Sequence, residues 1–98
     1  MTYHVYIIEG KNGWKYCGFT ANIIKRLQAH NKGKCISTRR NKPYVIKMIT
    51  EQPTRMWARI IEKSIKNFGV NRYWNKYRFS PQKKISDKII SEINNPGL

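Results

Sequence analysis

Tyr3-His4-Val5-Tyr6-Ile7-Ile8-Glu9-Gly10-Lys11-Asn12-Gly13-Trp14-Lys15-Tyr16-Cys17-Gly18-Phe19-Thr20 is the stretch that decides the fold. Tyr3 to Ile8 alternates aromatic and β-branched residues, which suits a half-buried strand. Glu9 to Gly13 supplies a tight turn, because both glycines and Asn12 tolerate positive φ. Trp14 to Thr20 returns as a second strand, so the segment is a hairpin. Working outward, Ile23, Ile24 and Leu27 have helical spacing behind a capping Asn22 or Thr20, and Gly33 closes that helix. Residues 31 to 43 carry five basic side chains and little to bury, and read as a solvated loop. Tyr44 to Thr50 is a third strand. Thr54 opens a longer helix with Trp57, Ile60, Ile61, Ser64, Ile65 and Phe68 as its inward stripe, stopped by Gly69. Asn71 to Phe79 alternates aromatic and basic residues without a clean period. Ser80 and Pro81 then cap a last helix whose Ile85, Ile89, Ile90 and Ile93 share one face. The expected architecture is α+β: a small three-stranded antiparallel sheet flanked by helices, with residues 1–79 as the domain and 80–98 as a C-terminal helical extension packed on it.

At 98 residues the chain supports one modest core, so the core must also carry the active surface. Twenty Lys and Arg against five Asp and Glu give a formal charge of +15. A coding sequence rich in A and T would inflate Lys, Ile and Asn, but it would raise Glu too, and Glu is scarce. Positive potential is therefore the feature selected, and nucleic acid is the partner it implies. No basic leader followed by an apolar run opens the chain, and no segment approaches the roughly 20 apolar residues needed to span a bilayer. The expectation is an intracellular protein with no membrane partner. Cys17 and Cys35 lie in no Cys/His cluster, which excludes a zinc module and leaves two free thiols.

Tyr6 and Tyr16 sit on the two hairpin strands, and opposed positions on antiparallel strands place side chains about 5 Å apart, so both could line one pocket. Arg26 and His30, four apart, share a helix face, while Ile23 and Leu27 point elsewhere. Arg grips phosphate in a fixed bidentate geometry, and His moves protons near neutral pH. The plain alternatives are a solvated arginine and a histidine held as a cation by the helix dipole. Glu62 is a rare acid beside an apolar stripe. Pairing with Lys66 one turn on is its ordinary fate, but a single carboxylate facing a basic cleft can also hold a divalent ion.

Tyr6, Tyr16-Cys17-Gly18, Phe19-Thr20, Arg26, His30-Asn31, Gly33, Thr38 and Glu62, in this order and spacing, resemble the GIY-YIG nuclease domain over residues 3 to about 68. The stretch from Tyr16 to Asn31 is similar to the branch of that family that cuts branched DNA, in work such as repair or recombination. The first name-giving motif departs as His4-Val5-Tyr6, and the second has Cys17 at its centre. The resemblance implies an endonuclease in which Tyr6 activates water, Tyr16 orients it or the phosphate, Arg26 stabilises the growing charge and His30 shares the proton transfer. It implies one Mg²⁺ or Mn²⁺ held by Glu62, and Gly18 as a point where the chain passes close to substrate. Lys15 and Lys25 are candidates for further phosphate contacts, with ordinary solvated charges as the other reading. Lys34, Arg39, Arg40 and Lys42 in the loop, with Arg72 and Lys76 among the aromatics of 72–79, would grip distorted DNA outside the pocket. The other reading of those aromatics is that Tyr73, Trp74 and Phe79 hold the last helix down. The final isoleucine stripe reads as packing, with a homodimer or protein partner as its other use. The rival function is a silent nucleic-acid-binding module of the same fold. A basic ribosome-associated protein explains the charge alone.

Overall fold

Strand β1 (Tyr3–Glu9) pairs antiparallel with β2 (Lys15–Thr20) on one side and with β3 (Val45–Gln52) on the other, giving the order β2-β1-β3. The structure, a computed structural model, describes residues 1–79 and 81–95, with the backbone alone for 81–87. The Ser80 cap and the Ile85 side chain lie outside the described residues. Among the described residues, four α-helices accompany the strands: α1 (Ile23–Asn31), α2 (Arg55–Phe68), α3 (Val70–Tyr77) and α4 (Pro81–Asn94). This is the α+β, three-stranded antiparallel architecture read from the hairpin outward.

The turn between β1 and β2 uses positive φ at Asn12 (58°) and Gly13 (74°). Gly10 is needed for a different reason. Its φ is an ordinary −112°, but a Cβ there would stand 2.1 Å from the Asn41 carbonyl oxygen, so only glycine lets this loop close on the hairpin.

Alternation along β1 divides the core in two. Tyr6 and Ile8 point to one face, where Ile23 of α1, Tyr44, Ile46, Ile49 and Ile90 of α4 bury them. Val5 and Ile7 point to the other, against Cys17, Met48 and the α2 residues Ala58 and Ile65, with Val70, Tyr73 and Trp74 of α3 alongside. Ile7 pairs with Met48 and Ile8 with Ile46, so Lys47 is an extra residue in β3. That bulge lets Ile46 and Ile49, three residues apart, face the same side.

Four expectations are corrected by the fold. The inward ridge of α2 is Ala58, Ile61 and Ile65, while Trp57 (54% exposed) and Ile60 lie outside. Apolar residues cover more than half of this helix's circumference, so periodicity permits either face, and the side with small Ala58 approaches the sheet. Residues 70–77, given no period from sequence, form α3. Within α1, Ile23 and Leu27 do not point away from His30: all three belong to the buried face. In α4, Ile90 is buried and Ile93 half-buried on the sheet, whereas Ile89 is exposed. The Asn94 amide clasps the outer side of β3, accepting from Ile46 N at 3.0 Å and donating to Ile46 O at 3.0 Å. Among the described residues, no helix is long and apolar enough to cross a membrane.

Candidate active site

The site lies on the α1 face of the hairpin. Asn22 caps α1, its side chain accepting from the Lys25 amide at 3.1 Å, and Gly33 at φ 76° turns the chain after the helix. This fixes the helix so that His30, with no exposed surface, faces β1. The Tyr6 hydroxyl lies 2.8 Å from His30 Nε2, and His30 Nδ1 lies 2.8 Å from Thr38 Oγ1. Thr38 Oγ1 is placed 3.4 Å from the Cys35 carbonyl, to which it donates, so its lone pair accepts from Nδ1–H. These partners assign a neutral imidazole protonated at Nδ1, with Nε2 accepting the Tyr6 proton.

Electrostatics agree with a neutral ring. Burial, and then the charge of Arg26, lower the His30 pKa to about 4. The reading of His30 as a helix-terminal cation is therefore overturned. Burial pushes the Tyr6 phenol well above its usual range, an effect opposed by the Arg26 guanidinium beside it. Contact with Tyr6 in turn raises the Arg26 pKa. Tyr6 is thus a neutral phenol whose proton is already committed to His30.

Tyr16 is not opposite Tyr6. The register pairs Tyr6 with Gly18 and Ile8 with Tyr16, so the two phenols are diagonal neighbours on one face. The Tyr16 and His30 ring centroids are 5.5 Å apart, and Trp14 stacks on Tyr16 at 6.3 Å. Gly18 serves its own neighbour: a Cβ there would stand 2.5 Å from the Tyr6 oxygen and 3.1 Å from Tyr16 Cε2. The room that sequence reasoning reserved for substrate is filled by the Tyr6 phenol.

Glu62 belongs to α2, which packs on the other face, where its charge acts on the buried Cys17 thiol of β2. Lys66 Nζ lies 3.7 Å from Glu62 Oε1 and 4.9 Å from the centre of the Tyr16 ring. The ordinary i,i+4 pair is therefore present, and it ends on a phenol of the site. Among the described residues, no group of three His, Cys, Asp or Glu gathers as for an ion held entirely by protein. The donor set is one carboxylate whose side chain is 18% exposed and which already has a cation beside it. That fits a hard divalent ion completing its shell with water and phosphate.

The surrounding cations divide. Lys25, Arg26, Lys32 and Lys34 line an open groove of about 510 Å³ along α1. Arg39, Arg40 and Lys42 are exposed around a short turn. Lys15 is not a free phosphate contact, because its ammonium pairs with Glu9 at 2.9 Å. Arg72 lies over Phe68 and Lys76 near Phe68 and Tyr77, on the helical layer away from Tyr6. Tyr73 and Trp74 pack against the core, while Phe79 is exposed.

Sequence reasoning missed one participant. Tyr44 is buried, donates its hydroxyl to Thr38 O at 2.6 Å, and is pinned through its backbone by Asn31 at 2.5 and 3.1 Å. It fixes the segment that presents Thr38 to His30. An aromatic residue closing a long basic stretch was the only available sign.

Comparison with known proteins supplies the family. UPF0213 proteins of Bacillus cereus and Bacillus thuringiensis subsp. konkukian are each 32% identical over 88 residues, covering 85% of this chain and 92% of theirs. The solution NMR structure of a UPF0213 protein from Bacillus halodurans is 27% identical, covers 98% of this chain and 89% of that one, and superposes with a TM-score of 0.44. Residues 2–78 match the family described as the GIY-YIG catalytic domain, and since that match takes in most of the sequence, this chain belongs to the GIY-YIG nuclease family.

Proposed function

We propose that the protein is a divalent-metal-dependent DNA endonuclease that hydrolyses phosphodiester bonds in branched or flap DNA and leaves a 5′ phosphate. The observation that carries this reading is the buried Tyr6–His30–Thr38 relay beside Arg26. A phenol with so high a pKa is no base by itself. With its proton already shared with Nε2, the Tyr6 oxygen can take a proton from the attacking water as its own passes to His30. Arg26 would neutralise charge growing on the phosphate, and such electrostatic stabilisation contributes most of the rate in reactions of this kind. A phosphodiester on Arg26 also cancels part of the charge that lowers the His30 pKa, so the acceptor strengthens when substrate is bound. Tyr16 flanks the relay and would orient the water or the phosphate. Glu62 would hold one Mg²⁺ or Mn²⁺, which supplies polarisation of the phosphate and stabilisation of the leaving 3′ oxygen. Lys25, Lys34, Arg39, Arg40 and Lys42 would hold the backbone around it. DNA shape, rather than a separate recognition helix, would supply the selectivity.

A silent binding module with this fold would keep the charge but has no use for a histidine satisfied at both nitrogens by buried hydroxyls. Labelled linear, flap, Y-form and four-way-junction DNAs, incubated with Mg²⁺, Mn²⁺ or chelator, test the choice. Expected are metal-dependent nicks at the branch, and a Glu62→Ala variant that still binds while cleavage falls by at least about 100-fold. Equal cleavage in chelator, or by that variant, rejects the reading.

A further inference from the structure

Resting on the assignment of Glu62 as the metal ligand, we infer that Lys66 is a resident stand-in for the divalent ion, which must be displaced before the metal binds. Two contacts carry this. The ammonium lies 3.7 Å from Glu62 Oε1 and simultaneously 4.9 Å from the centre of the Tyr16 ring. The carboxylate is 18% exposed and the lysine beside it 41% exposed. A helix-stabilising pair needs only the first contact. The second ties the same positive charge to a ring of the phenol cluster as well as to the carboxylate.

The rest of the molecule sharpens the effect. A chain of formal charge +15 repels divalent ions, and Lys66 adds the nearest like charge. DNA reverses both effects, since phosphates neutralise the field and offer the ammonium another partner. Metal and DNA binding are therefore coupled, and by linkage each tightens the other. The protein alone holds metal weakly, which restrains hydrolysis until a substrate is in place.

Mn²⁺ titration of the full chain without DNA, followed by paramagnetic broadening of backbone amide signals around Glu62, reads this directly. Lys66→Gln is expected to tighten Mn²⁺ by about three- to tenfold, the size of removing one partly exposed charge from beside a divalent ion. Lys66→Arg, which keeps the charge, should bind as the parent does, and Glu62→Gln should lose the localised broadening. If Glu62→Gln loses it but Lys66→Gln binds no tighter than the parent, the stand-in role is overturned and the metal assignment survives. If broadening persists in Glu62→Gln, the metal assignment and this inference fall together.

Discussion

Tyr6 and Ile7 are adjacent in β1, equally buried, and lead opposite lives. On the Ile7 face the sheet meets α2 and α3 through Val5, Cys17, Met48, Ala58 and Ile65, and burial there removes apolar surface from water with little polar business. On the Tyr6 face the same strand helps bury several hydroxyls and an imidazole, each acceptable only because it finds a partner. By its twofold alternation one strand thus sends its buried hydroxyl to a mixed face, where Ile8, Ile23, Ile46, Ile49 and Ile90 still supply an apolar core, and its purely apolar neighbours to the other.

The widest break in this comparison comes from substituting the two neighbours. Tyr6→Phe should lower cleavage by about 100- to 10,000-fold, since it deletes the group proposed to receive the water proton, while leaving a folded protein. Ile7→Ala should do the reverse, costing about 2–5 kcal/mol of stability with the cleavage rate per folded molecule retained. Denaturant melts and single-turnover cleavage on both variants decide. Similar losses of activity per folded molecule would erase the distinction between the faces.

Acid should weaken the Tyr6 face first. The His30 pKa in the folded protein, about 4, lies below the value of the unfolded chain, about 6.5, so the unfolded state binds more protons between them. Its contribution is complete above pH 6.5 and lost as pH falls toward 4, by on the order of 3 kcal/mol. Urea melts across that window should show this slope in the parent, and His30→Gln should flatten it. An unchanged slope would mean that His30 is not held neutral.

Gly18→Ala probes the seam with the smallest expected change. The added methyl meets the Tyr6 oxygen, so the phenol must shift, at about 1–3 kcal/mol. Cleavage should fall with the loss of the Tyr6–His30 bond, visible as a change in the His30 ring signals by NMR. Full activity would show that the hydroxyl has room elsewhere.

The hairpin was legible because alternation and turn residues both encode it, and the separate positions of Arg26, His30 and Glu62 were legible as residue types at helical spacing. What escaped was burial inside an apparently polar stretch. Only the family resemblance marks Thr38, and Tyr44 reads only as the start of a strand, since composition averages over residues 31–43 and cannot show one side chain turned inward. The α3 helix is hidden in the sequence for want of a starting point. Val70, Tyr73, Trp74 and Tyr77 are spaced i, i+3, i+4 and i+7, a pattern that appears only when the window opens at Val70 rather than Asn71. The α2 stripe failed for the opposite reason, too many apolar candidates. Lys15 looked free because its partner, Glu9, approaches only once the strands pair.

The clasp of Asn94 on Ile46 has a consequence for self-association. A border strand ordinarily presents a row of open amides and carbonyls, a template on which a second molecule can polymerise. By satisfying one donor and one acceptor at once, a single carboxamide mimics a residue of a fourth strand and interrupts that template along β3. The terminal helix therefore acts as a stopper against strand-by-strand growth, and an Asn94→Leu protein should be the one that clouds on concentration.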